Sequence, residues 1–183
     1  MRIIGGQAKG RRIFTPKGCR IRPTSDMVKE SLFNMLPSIK GKLFLDLFAG
    51  TGNVGLEALS RGAARAVFVE RNPHLAGVIN KNLAICGFDE NYEIISAQVD
   101  KGIKLLSKRR EQFNIIFVDP PYEKNIVKKI FHIQGIRELI SRDGVMVVQH
   151  SIRETQGLDI DNVILADQKR YGDTVISFIK SKC

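Results

Sequence analysis

Residues 43–55, Leu43-Phe44-Leu45-Asp46-Leu47-Phe48-Ala49-Gly50-Thr51-Gly52-Asn53-Val54-Gly55, constrain the fold more than any other stretch. An apolar run breaks into a glycine-rich turn, and a helical pattern (Leu56, Glu57, Ala58, Leu59) begins at once. A strand, a tight turn and a helix N-terminus in that order form a recurring cradle for nucleotide-like ligands in α/β folds. Glycine lets the backbone approach a ligand closely and adopt dihedrals that a Cβ forbids. Gly50, Gly52 and Gly55 also satisfy the spacing of the dinucleotide fingerprint, which alone is a weak signal.

Two acids sharpen the reading. Asp46 sits inside the strand run, where a dinucleotide-binding strand is normally apolar, and a carboxylate is costly to bury unless something donates to it. A ligand with an ammonium group and hydroxyls, and no phosphate, would account for it. Glu70 ends the next apolar run, Ala66-Val67-Phe68-Val69, 24 residues after Asp46. That is near the distance at which an acid takes a ribose diol. Together the two favour S-adenosylmethionine over a dinucleotide.

A chain of 183 residues is of single-domain length and can bury a real core. No apolar run approaches the roughly 18–20 residues that span a bilayer. Met1-Arg2-Ile3-Ile4-Gly5-Gly6 lacks the apolar stretch of a secretory signal. Cys19, Cys86 and Cys183 are far apart, and His74, His132 and His150 are as scattered, so neither a disulfide framework nor a metal site is suggested. A cytoplasmic, metal-free protein is expected. The net charge of +10 points to a polyanionic partner, without separating RNA, DNA and membrane surface.

Residues 1–24 are the most biased part. Arg2, Lys9, Arg11, Arg12, Lys17, Arg20 and Arg22 precede the first acid, Asp26. Short extended pieces around glycine turns predict a small hairpin, with Ile3, Ile4, Ile13 and Phe14 docking it on the main domain. Such a basic arm suits a phosphate backbone. Pro23-Thr24-Ser25-Asp26 opens a helix that Pro37 ends. From residue 42 strands and helices alternate. The patterns predict helices to about residue 61, from 73 to Gly87, over 100–108 and over 124–141, with strands at 65–70, 92–95, 113–118 and 145–148. The strand-like runs 163–166 and 174–179, with 168–173 as connector, fit an antiparallel pair closing a parallel sheet.

Strand 113–118 runs into Asp119-Pro120-Pro121-Tyr122. In an open parallel sheet ligands bind beyond the carboxyl ends of the strands, so this tetrapeptide would share an edge with the glycine turn. Consecutive prolines donate no backbone hydrogen bonds and hold a stiff extended shape. The loop would present a carboxylate, a free carbonyl and an aromatic ring to an amine on a flat ring. Asp119 and the Pro120 carbonyl would accept its two hydrogens and aim the nitrogen lone pair, while Tyr122 stacks on an extruded base.

Asp46–Gly55 taken with Asp119–Tyr122 resembles the S-adenosylmethionine-dependent amino-methyltransferases. More narrowly, the chain resembles the bacterial small-subunit (16S) ribosomal RNA guanine-N2 methyltransferase family. The likeness rests on Arg2-Ile3-Ile4-Gly5-Gly6, Lys9-Gly10-Arg11-Arg12, Arg22-Pro23-Thr24 and Leu45–Gly52, and on Leu56-Glu57-Ala58-Leu59-Ser60-Arg61-Gly62-Ala63 and Lys169-Arg170-Tyr171-Gly172-Asp173-Thr174, which span almost the full chain. It implies a Rossmann-like class I methyltransferase: an α/β, mostly parallel seven-stranded sheet with an antiparallel C-terminal strand and a small N-terminal β-hairpin extension. One domain, 1–183, would comprise a basic arm (1–24) and the Rossmann-like core (42–183).

By the same likeness Asp46, Gly50 and Gly52 take the methionine part of S-adenosylmethionine and Glu70 its ribose, with Phe48, Ala49, Thr51, Arg71, Gln98 and Val99 in the same cofactor set. Gln98 stands where the family often carries an acid, and its side-chain carbonyl can accept the hydrogen bond of the adenine amine. Asp119, Pro120, Pro121 and Tyr122 would hold guanine. Arg2, Lys9, Arg11, Arg12, Arg22, Thr24, Arg170 and Tyr171 would hold RNA, as ribosomal RNA or an assembling small subunit. No metal, no membrane and a monomer are expected. Three rivals stay open: amino-methylation of adenine N6 in DNA or RNA, or of a protein; a dinucleotide-dependent oxidoreductase; and a non-catalytic RNA-binding assembly factor.

Overall fold

The computed structural model describes residues 1–16, 26–121, 126–153 and 163–181. Seven strands form one mixed sheet in the order β3-β2-β1-β4-β5-β7-β6. The chain divides into two compact units, Met1–Gln98 and Val99–Cys183.

In the first unit α1 (Asp26–Met35), β1 (Leu43–Asp46), α2 (Asn53–Ser60), β2 (Arg65–Glu70), α3 (Pro73–Cys86) and β3 (Tyr92–Ser96) follow in order. β1 and β3 both pair in parallel with β2, in a register that sets Asp46 beside Phe68 and Glu70 beside Ser96. The β2 run Ala66–Glu70 is buried throughout, as a strand covered on both faces requires. Asn72 caps α3 through the His74 amide at 3.0 Å, Pro73 starts the helix, and Gly87 closes it in the left-handed region at φ 75°.

Residues 1–16 form the expected hairpin. Arg2 and Arg12 make an antiparallel bridge, flanked by Ile3 N to Arg11 O at 3.0 Å and Gly10 N to Ile3 O at 2.8 Å. Ile3 and Ile13 are buried, but Phe14 is 41% exposed, with the Lys81 ammonium 4.0 Å over its ring. Glu57 and Ser60 on α2 hold the hairpin tip. The Glu57 carboxylate accepts from the Ile4 and Gly5 amides at 2.8 and 2.7 Å, and Ser60 Oγ accepts from the Ala8 amide at 2.9 Å.

The second unit holds α4 (Val99–Lys108), β4 (Phe113–Val118), α5 (Ile126–Phe131), β5 (Ile140–Ser151), β6 (Val163–Tyr171) and β7 (Thr174–Ser181). β4 and β5 are parallel, and β7 is antiparallel to both β5 and β6. Three local expectations are corrected. The helix expected over 124–141 is only α5, and turns follow it, with Gly135 at φ 97°. β5 starts at Ile140, not 145. Ile140 pairs with Phe113 and Val145 with Ile115, so the turn-like Ser141-Arg142-Asp143-Gly144 is an irregularity within the strand. The connector 168–173 is mostly strand: Tyr171 pairs with Thr174, leaving only Gly172-Asp173 as the turn. Gly172 takes φ 59° at its first central position, as tight hairpins favour.

Among the described residues no helix is long and apolar enough to cross a membrane, and no group of three or more His, Cys, Asp or Glu is placed to hold a metal ion.

Candidate active site

The glycine loop is braced by two carboxylates. Asp46 is 2% exposed, and its Oδ2 accepts from the Gly55 amide at 3.3 Å. Gly55 is the third residue of α2, so Asp46 satisfies one of the orphan donors of that helix from across the loop. The residue in the N-cap position, Gly52 at φ 81°, has no side chain to do so. Glu70, at the carboxyl end of β2, accepts from the Gly50 amide at 2.8 Å through one oxygen and from the Asn72 amide at 2.8 Å through the other. Ala49 N to Val69 O at 3.1 Å and Gly52 N to Ala49 O at 2.7 Å complete the loop.

This arrangement is the wrong one for a dinucleotide. A pyrophosphate would sit on the free amides of the helix N-terminus, yet Asp46 already holds one of them. Both carboxylates would also repel it. A cationic ligand carrying a diol meets acceptors instead, and each Glu70 oxygen retains lone-pair capacity beyond its backbone bond. The loop therefore fits a sulfonium amino acid with a ribose.

Gly55 has a different reason to be glycine. A Cβ there would overlap the fully buried ring of Phe68. Gly55→Ala is expected to cost about 1–3 kcal/mol by overpacking. Urea denaturation should show this as a lowered midpoint at unchanged slope.

The remaining cofactor candidates are placed individually. Thr51 and Ala49 are buried, Phe48 and Val99 half-buried, Arg71 and Gln98 exposed. Gln98 follows the carboxyl end of β3, and Val99 is the first residue of α4. In the second unit Asp119 and Pro120 follow the end of β4, Asp119 half-buried, Pro120 buried and Pro121 exposed. Tyr122 lies outside the described residues.

Among the arm's basic residues Lys9 and Arg12 are exposed. Arg2 pairs with Asp26 at 3.1 Å, and Arg11 donates to the Ile85 carbonyl at 2.6 Å, so both also fasten the arm. Arg170 and Tyr171 end β6 and do not form a loop; the Arg170 Nε donates to the Gly172 carbonyl at 2.7 Å. Arg22 and Thr24 lie outside the described residues.

Sequence reasoning missed a buried polar cluster under the arm. Lys29 and Glu57 are both 0% exposed, with Nζ 3.4 Å from the carboxylate, and Arg61 adds a second bond to Glu57 at 2.8 Å. Burial holds the Lys29 ammonium below its usual pKa, with the neighbouring Glu57 charge pulling the other way. A signal was present: Lys29 stands three and four residues before Leu32 and Phe33, in the apolar stripe of α1.

A family model described as conserved hypothetical protein 95 matches residues 1–180. YlbH of Bacillus subtilis (strain 168) is 32% identical over 183 residues, covering 100% of both chains. Ribosomal RNA small subunit methyltransferase D of Escherichia coli (strain K12) is 34% identical over 153 residues, 83% of this chain and 75% of that one. A solved structure of yhhF from Escherichia coli superposes with a TM-score of 0.86 at 29% identity, over 100% of this chain and 98% of that one.

Proposed function

The chain belongs to the conserved hypothetical protein 95 family, and from that footing we propose that it moves a methyl group from S-adenosylmethionine to the exocyclic N2 amine of one guanine in small-subunit ribosomal RNA. The observation that carries the reading is the glycine loop closed by Asp46 and Glu70, which suits this cofactor and disfavours a phosphate. A relative named for small-subunit ribosomal RNA methylation supplies the substrate class. One methyltransferase domain spans 1–183, with 1–24 as a basic arm and 42–183 as the Rossmann-like core.

Asp46, Phe48, Ala49, Gly50, Thr51 and Gly52 hold the methionine part, Glu70 and Arg71 the ribose, and Gln98 and Val99 the adenine. When bound, S-adenosylmethionine supplies a methyl group on a positively charged sulfur. The guanine amine is a poor nucleophile because its lone pair is delocalised into the ring. Asp119 and the Pro120 carbonyl accept its two hydrogens, which fixes where the lone pair points. Pro121 stiffens the loop, and Tyr122 stacks on the base. The chain's contribution is positioning and exclusion of water, effects that together can supply much of a barrier.

The arm supplies affinity. Lys9→Ala combined with Arg12→Ala should flatten the plot of log affinity against log salt by about 0.7 per side chain on single-stranded RNA. Fluorescence anisotropy across a salt series reads that slope, and calorimetry with S-adenosylhomocysteine should find cofactor affinity unchanged.

The deciding test is methyl transfer from labelled S-adenosylmethionine to small ribosomal subunits from a strain lacking the gene, followed by nucleoside identification. N2-methylguanosine at one site is the expected product. Labelled N6-methyladenosine, or label in DNA or protein only, would replace the guanine assignment. Absence of label from every substrate despite cofactor binding would favour a non-catalytic RNA-binding role.

A further inference from the structure

Two buried side chains tie the arm to the glycine loop, one reaching each side of the hairpin. Asn82 on α3 is 0% exposed. Its Oδ1 accepts from the Phe14 amide at 2.7 Å, and its Nδ2 donates to the Phe14 carbonyl at 3.0 Å and to the Thr51 carbonyl at 2.9 Å. Lys29 on α1 donates to the Arg2 carbonyl at 2.7 Å and to the Asn53 side-chain oxygen at 2.8 Å. Thr51 and Asn53 flank Gly52 on either side. Among the described residues the Asn53 Nδ2 has no hydrogen-bond partner, so Lys29 orients that side chain.

Anchoring the arm requires only the two bonds between Asn82 and Phe14. The third bond does something else. The peptide between Thr51 and Gly52 is held at one end by Gly52 N to Ala49 O at 2.7 Å and at the other by Asn82 on the Thr51 carbonyl. Pinned at both ends, this peptide fixes the direction in which Gly50 and Thr51 face a ligand. Gly52 itself, at φ 81°, has the backbone freedom to swing without that constraint.

We infer that Asn82 is a positioning residue for the cofactor. It sets the Thr51–Gly52 peptide, and because the same amide carries Phe14 of the basic arm, RNA on the arm and cofactor on the loop are thermodynamically linked. This rests on the reading of the loop as the cofactor site and of the arm as an RNA contact. Linkage of this kind is reciprocal: RNA should tighten cofactor binding by the same factor as cofactor tightens RNA.

The test uses the full chain. Asn82→Leu removes all three bonds at the same branching and heavy-atom count, and Asn82→Asp keeps an acceptor for the Phe14 amide but loses both donors. Both should raise KM for S-adenosylmethionine by about tenfold, within the range of measured couplings, while kcat stays near wild type. Cys86→Ala, which opens a small cavity in the same helix, should lower thermal stability without moving that KM. On the wild-type protein, S-adenosylhomocysteine should slow hydrogen exchange at the Phe14 amide as well as at Gly50 and Gly52; this readout decides the matter should the variants not fold. The inference is overturned by an unchanged KM in both variants, by an equal rise in Cys86→Ala, or by unaltered exchange at Phe14 in a protein that binds the cofactor and transfers methyl. A wild-type protein that does neither overturns the proposed function itself.

Discussion

Replacing Asp119 with alanine is expected to cut methyl transfer by about a hundredfold or more, the scale of loss when a reacting group is no longer held in line. Affinity for S-adenosylhomocysteine should stay within a few-fold of wild type, because the proposed function gives Asp119 to the base and the glycine loop to the cofactor. On the proposed reading Asp119 accepts one of the two amine hydrogens and the Pro120 carbonyl accepts the other. Without the carboxylate the amine is held at one point and its lone pair is free to turn. Asp119→Asn retains an acceptor oxygen and should fall between the two. Single-turnover rates at saturating cofactor, with calorimetry alongside, separate the losses. Wild-type turnover in Asp119→Ala would remove the role assigned here.

The second large effect is on stability. Glu57→Ala should destabilise the protein by about 3–5 kcal/mol, because it strands the buried Lys29 ammonium. It also strips acceptors from the Ile4 and Gly5 amides and from Arg61. At this chain length each kcal/mol lowers the melting temperature by about 2–4 °C. Lys29→Met combined with Glu57→Gln should be less destabilised than the sum of the single changes, since the pair then leaves no uncompensated charge. A loss in Glu57→Ala of under about 1 kcal/mol, the value of an exposed pair, would contradict the buried cluster.

The alternation of strands and helices was legible because its signals are local. β2 and β4 read as short apolar runs, α3 as a helix between an Asn-Pro start and a Gly stop, and each is observed at 65–70, 113–118 and 73–86. Where reading failed, a turn-like sequence was absorbed into a strand. The sequence pattern puts the helix end at about 141, the strand start at 145 and a connector at 168–173, yet pairing with Phe113–Ile115 and with Thr174–Ser177 carries 141–144 and 168–171 into the sheet. Asp46 and Glu70 stand out in the sequence as acids at strand ends, and the structure adds what no local pattern announces: each accepts from a backbone amide, of Gly55 and of Gly50.

By itself, the sequence determined the class of fold and the positions of its two chemical loops at the ends of strands, since apolar runs, glycine turns and a proline pair act within a few residues. Tertiary structure alone decided which polar groups serve which donors. Asn82 meets Phe14 across 68 residues of chain, and Glu57 meets Ile4 across 53. No local pattern encodes such partners. A buried amide or carboxylate is tolerated only where a distant segment docks to satisfy it, and only the folded chain shows which segment that is.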